Sequence, residues 1–105
     1  MTFTVIVDSE AKADLLRLYE YLLERAEYVE DLDNADRALQ AIEAAMASLA
    51  KAPFLFRKAA GSRSTLRREL VIPFGASGYV LTYEIASPEL VVVLAVRHQH
   101  EIDFH

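Results

Sequence analysis

The segment Leu90-Val91-Val92-Val93-Leu94-Ala95-Val96 is apolar at every position. Successive side chains of a strand point to opposite faces, so an unbroken apolar run rich in Val reads as a strand buried on both sides. It falls far short of the roughly 20 residues needed to span a bilayer. Such a strand needs neighbours at its edges and a layer laid over it. It is expected to be the central, most buried strand of a sheet.

The rest of the chain supplies those parts. Thr2–Val7 is β-branched and alternating, which predicts a first strand. Asp8-Ser9 offers an N-cap, with Glu10 in the first turn where the helix dipole favours an acid. Leu15, Leu18, Tyr19, Leu22, Leu23 and Ala26 then recur at helical spacing, predicting a helix that runs to about Ala26 or Tyr28. The acidic stretch from Glu27 to Asp33 reads as a connection, with Asp33-Asn34 as a second cap. A second helix is expected from about Ala35 to Ala50, its apolar face made of Ala35, Ala38, Leu39, Ile42, Ala45, Met46 and Leu49. Pro53 forbids its continuation.

Phe54–Ser64 shows no period and reads as loop. Strands are expected at Thr65–Ile72, ending before Pro73, and at Tyr79–Ala86, with turns at Phe74–Gly78 and Ser87-Pro88. The order is β-α-α-β-β-β. It predicts an α+β fold in which an antiparallel helix hairpin packs on a twisted, mainly antiparallel sheet.

The 105 residues fit one domain, 1–105, and 53% hydrophobic content is enough for a core. Absence of Cys rules out disulfides, zinc ribbons, iron–sulfur ligation and thiol nucleophiles. The first residues lack the basic flank and long apolar region of a secretory signal, so the expected location is the cytoplasm.

Charge is uneven. Residues 1–50 carry 11 acids and 4 bases, whereas residues 51–105 carry 5 acids and 7 bases. Five of those bases, Arg57, Lys58, Arg63, Arg67 and Arg68, fall within twelve residues, and no acid lies between Lys51 and Arg68. A local positive field on a protein of net charge −5 points to one anionic or acidic contact and argues against a general nucleic-acid coat. The alternative is a solvated loop bearing ordinary solubility charges. Adjacent strand residues face opposite sides, so either Arg67 or Arg68 faces outward.

All three histidines lie in the tail Arg97-His98-Gln99-His100-Glu101-Ile102-Asp103-Phe104-His105. Three readings compete there. His98 and His100, two residues apart, share a strand face and with Glu101 or Asp103 form a partial metal set. Alternatively, His98, His100 and Glu101 exchange protons while Arg97, Arg67 and Arg68 clamp a phosphate, the metal-free requirements for cutting RNA through its own 2′-hydroxyl. In the third reading the residues are structural: Arg97 pairs with Glu69 or Glu101, and Phe104 packs as a core or lid aromatic.

Taken in order, several pieces resemble a known family. They are Ser9-Glu10-Ala11 with Asp14-Leu15 and Tyr19, then Leu49 and Pro53, then Arg68-Glu69-Leu70-Val71-Ile72-Pro73, Gly78-Tyr79-Val80-Leu81-Thr82-Tyr83, and Val96-Arg97-His98-Gln99 with Glu101. The chain resembles, over nearly its whole length, the RelE/ParE superfamily of type II toxin–antitoxin toxins, and it looks closest to the ParE, plasmid-stabilisation branch. The resemblance implies the same β-α-α-β-β-β core and a growth inhibitor held in check by a cognate antitoxin. Separately, no cofactor, metal or membrane is expected, and a homodimer is left open as a second partnership. ParE-like members poison DNA gyrase; RelE-like members cut mRNA on the ribosome. The ribonuclease branch carries a catalytic Tyr or His near its C-terminus, where this chain has Phe104. The leading expectation is therefore a gyrase-poisoning toxin without chemistry of its own, contacting its target through Arg57, Lys58, Arg63, Arg67 and Arg68. The alternative is a metal-independent endoribonuclease with Arg97, His98 and Glu101 as catalytic residues. Antitoxins of this class supply a segment that folds on the toxin. Leu15, Tyr19 and Leu22 on the helix hairpin, or an unpaired sheet edge, are the expected docking places.

Overall fold

The computed structural model describes residues 2–99. β1 (Thr4–Val7) leads directly into α1 (Ser9–Glu24), and α2 (Val29–Ser48) follows. A short 3-10 turn at Pro53–Leu55 precedes β2 (Arg57–Lys58), β3 (Arg67–Phe74), β4 (Ser77–Ser87) and β5 (Leu90–His98). The sheet order is β1-β5-β4-β3-β2. Only the β1–β5 pairing is parallel; the other three are antiparallel.

Asp8 caps α1 as expected, its carboxylate accepting from Glu10 N at 3.4 Å. α2 starts six residues earlier than the apolar spacing suggested. The acidic stretch is helical from Val29 because Asp31 Oδ2 accepts the backbone N–H of Glu27 at 2.9 Å and of Tyr28 at 3.1 Å. Glu30 and Asp31 then occupy the first turn, where the dipole favours them. Asp33-Asn34 is thus inside the helix.

Three further expectations need correction. Part of the Phe54–Ser64 stretch is ordered: Arg57 and Lys58 pair with Glu69 and Arg68 at the sheet edge. β3 also runs through Pro73 to Phe74, closing on β4 through a two-residue loop in which Gly75 has φ +61°. A positive φ at the first loop position alone is the pattern of a type II′ hairpin. The Phe74–Ser77 pair next to that loop is hydrogen-bonded, so the Pro73 nitrogen points the other way, toward an edge that two-residue β2 does not reach. The missing N–H therefore costs no ladder bond. Opposite Pro73 sits Gly78, where a Cβ would run into the Ile72 carbonyl; the two backbones approach closely only because this residue is glycine.

The third correction concerns Leu90–Val96. β5 is an interior strand, paired on both sides, yet the middle of the sheet and its most buried strand is β4. One face of β5 lies open because both helices stack on a single side. Toward the helices point Val91, Val93 and Val96 of β5, Tyr79, Leu81, Tyr83 and Ile85 of β4, and Ile72 of β3. They meet Ala11 and Leu18 of α1, Ala38 and Ile42 of α2, and Leu49 just beyond it. Ala11, Ala35 and Ala38 are all but fully buried and let the helices sit close. The opposite face carries Ile6, Val92, Glu84 and Arg67 in one row, and Thr82, Glu69 and Arg57 in the next.

Candidate functional site: the cationic residues and the helix cleft

The register resolves the arginine pair. Arg67, opposite Glu84, is exposed on the open face; Arg68, opposite Tyr83, turns to the helix side. Arg67 meets Glu84 at 3.4 Å and Arg57 meets Glu69 at 2.7 Å, so two of the five clustered bases are neutralised by acids on neighbouring strands. Arg68 is spent on the backbone. Its Nε donates to Thr65 O, and one terminal nitrogen donates to Phe54 O and Phe56 O, each at 2.9 Å. The guanidinium also lies 5.4 Å from the centre of the Phe54 ring. Next to it, the buried Tyr83 hydroxyl donates to Pro53 O. Burial pushes that phenol up to about 12, against the opposing pull of the Arg68 charge. Lys58 and Arg63 are exposed and carry no ion pair among the described residues.

Arg97 and His98 diverge, as neighbours on a strand must. Arg97 lies on the open side, at the edge of β5 that β1 leaves uncovered after Val7. There α1 substitutes for a strand: Asp14 Oδ2 accepts Val96 N–H at 3.0 Å, while Oδ1 lies 3.6 Å from Arg97 and 3.4 Å from Arg17. Asp14 is 6% exposed, and its placement is legible afterwards in the sequence. Ala11, Asp14 and Leu18 share one buried helical stripe, an unusual position for an acid. His98 is half-buried on the helix side, with Nε2 3.1 Å from Ser77 Oγ and its ring edge-on to Tyr79 at 5.6 Å. At about 3.4 Å per residue and about 4.8 Å per strand, the Arg97 backbone stands roughly 14 Å from Arg68 and roughly 17 Å from Arg67. Glu101, His100, Asp103, Phe104 and His105 lie outside the described residues, and with them most of the metal and proton-transfer sets named above.

Leu15, Tyr19 and Leu22 come together. With Leu18, Ala35, Ala38, Leu39 and Ile42 they line a cleft between the helices whose floor is Tyr79. Leu15 and Leu22 are half-buried against the core, so they serve packing as well as the cleft. Tyr19 bridges the hairpin, its hydroxyl donating to Asp36 Oδ1 at 2.7 Å; that bond to a carboxylate raises its pKa above 10.0.

Comparison with known proteins places this arrangement. Residues 5–103 match the family described as the ParE toxin of the type II toxin–antitoxin system parDE. The chain belongs to the ParE toxin family. Among relatives of this ParE-family toxin, Toxin RelE1 of Caulobacter vibrioides is 41% identical over 85 residues, 81% of this chain and 82% of the relative. Toxin RelE3 of the same organism is 37% identical over 98 residues, 93% of this chain and 96% of the relative. A chain from the chromosomal ParDE system of P. aeruginosa has the same fold, with TM-score 0.67 at 13% identity, covering 92% of this chain and 96% of that one. The protein is thus the toxin half of a type II toxin–antitoxin pair, which implies an antitoxin partner. No helix among the described residues is long and apolar enough to cross a membrane.

Proposed function

We propose that this toxin acts by binding and not by cutting RNA: it inhibits DNA gyrase in the cytoplasm, and its antitoxin neutralises it. The observation that carries the reading is the separation of the described members of the ribonuclease set, Arg97, His98, Arg67 and Arg68. A phosphate clamp and a proton-transfer group must meet within about 3 Å of one reacting phosphate. Here Arg97 is engaged by Asp14, Arg67 by Glu84 and Arg68 by three carbonyls, while His98 faces the helix layer. A protein surface has no such convergence requirement. The antitoxin takes the helix cleft, where Leu15, Tyr19 and Leu22 offer apolar walls and a hydroxyl. The test is supercoiling of relaxed plasmid by purified gyrase with added toxin. Loss of supercoiling with trapped cleaved DNA is expected, and unchanged supercoiling at toxin in large excess over gyrase sinks the reading.

A further inference from the structure

With the paired cations set aside, the flank around Arg68 carries both exposed apolar surface and cations that make no ion pair among the described residues. Leu55 is 77% exposed, Phe54 56% and Leu66 44%, although each is large and hydrophobic. Arg68 gathers them, since its guanidinium bonds the carbonyls of Phe54 and Phe56 on one segment and of Thr65, next to Leu66, on the other. Lys58 lies opposite Arg68 across the β2–β3 pairing, and Arg63 sits in the loop joining those strands. No acid interrupts the chain between Lys51 and Arg68.

We propose that this flank, formed by Phe54, Leu55, Leu66, Lys58 and Arg63, is where the toxin docks on its target, and that the matching target surface is an acidic protein surface studded with apolar side chains. The inference deepens the gyrase reading by assigning it a contact surface. Charge complementarity sets the sign of the partner: two exposed cations with no ion pair among the described residues, on a chain of net charge −5, select carboxylates. The apolar component sets its class. A nucleic-acid surface needs many phosphate contacts and favours aromatic platforms, whereas this flank has two free cations, one aromatic ring and two leucines. Three protruding apolar side chains rimmed by charge are the anatomy of a protein–protein contact. The flank is also separate from the helix cleft. Tyr79, which floors the cleft, and Tyr83, opposite Arg68, are four residues apart on β4, or about 13 Å.

The experiment compares wild type with the double variant Lys58→Glu/Arg63→Glu and with Leu55→Ser, each first shown by melting to be folded. The double variant Lys12→Glu/Arg37→Glu on the helices makes the same change of net charge away from the flank and is the control. Gyrase inhibition, growth inhibition and co-purification with the co-expressed antitoxin are measured. The proposal expects both flank variants to need at least about tenfold more protein for half-inhibition, with antitoxin capture retained. Inhibition equal to wild type, or lost antitoxin capture with toxicity intact, overturns it. Tight binding to a short duplex DNA that depends on Lys58 and Arg63 but not on Leu55 also overturns it, in favour of a nucleic-acid surface. If wild type spares gyrase altogether, the gyrase reading fails by itself and the flank is judged by growth: toxicity retained in both variants refutes it, and toxicity lost supports it against another target.

Discussion

Replacing Arg68 by Lys tests whether this side chain is a brace or a contact residue. Its guanidinium makes three hydrogen bonds of 2.9 Å to carbonyls of two separate segments, and covers the Phe54 ring. Hydrogen bonds to a charged group contribute about 1.5–3 kcal/mol each when removed alone, and a cation–π contact about 0.5–1. The three share one side chain and one Lys ammonium recovers part of them, so the net loss is expected at about 2–4 kcal/mol. Against a total stability on the order of 5–15 kcal/mol this is a large fraction, and corresponds to a fall of roughly 10–20 °C in Tm. Urea denaturation followed by circular dichroism gives the number directly. Arg67→Lys is the comparison: its partner Glu84 is 3.4 Å away on an exposed face, and such pairs contribute about 0–1 kcal/mol. A loss below about 0.5 kcal/mol for Arg68→Lys, or a larger loss for Arg67→Lys, refutes the assignment of the two arginines to opposite faces.

Other substitutions test the remaining structure. Gly78→Ala should destabilise by about 2 kcal/mol or more, because its methyl meets the Ile72 carbonyl backbone and β3 must shift; a melting temperature within a degree of wild type contradicts the close approach. Asp14→Ala orphans the Val96 N–H and releases Arg97, for an expected loss of about 2–4 kcal/mol, and Asp14→Asn, which keeps an acceptor, should lose less; equal losses in denaturant titrations argue that the Val96 bond is immaterial. Tyr83 titrates at about 12 in the folded chain and near 10.0 when unfolded. Below pH 10 both states keep the proton and stability is level. From about pH 10 to 12 only the unfolded state releases it, so stability falls with rising pH by at most ~1.4 kcal/mol per unit, less wherever water screens the group. Tyr83→Phe should reduce that slope in unfolding experiments across the same range, leaving what Tyr19 and Tyr79, also raised, contribute; an unchanged slope assigns it to other groups.

Periodicity suffices for the two helices, the three long strands after them and the helix hairpin packed on the sheet, because apolar spacing reports which side of an element is buried. It missed what depends on one side chain reaching across space. Asp31 starts α2 early by capping Glu27 and Tyr28, so an acidic run that looked like a linker is a helix turn. An all-apolar β5 suggested the centre of the sheet, yet helices on one face only leave β4, with its Tyr and Leu pointing inward, as the middle strand. The basic run was visible, but its distribution was not: Glu69 and Glu84 are recruited from the facing strands by register, and Arg68 by carbonyls of a turn fixed by Pro53. Asp14 stands in the family-like run of α1, while its structural role follows from β1 stopping at Val7 and leaving the Val96 N–H without a β1 partner.

The most direct measurement takes one culture expressing the toxin and reads two quantities from it: the linking-number distribution of a resident plasmid, and the 5′ ends of abundant mRNAs by primer extension. Dispersed arginines and a histidine turned to the helix layer predict relaxed plasmid and unaltered transcript ends, the same in His98→Ala as in wild type. Fresh 5′ ends within coding regions that disappear in His98→Ala, on plasmid of normal superhelicity, would contradict the account.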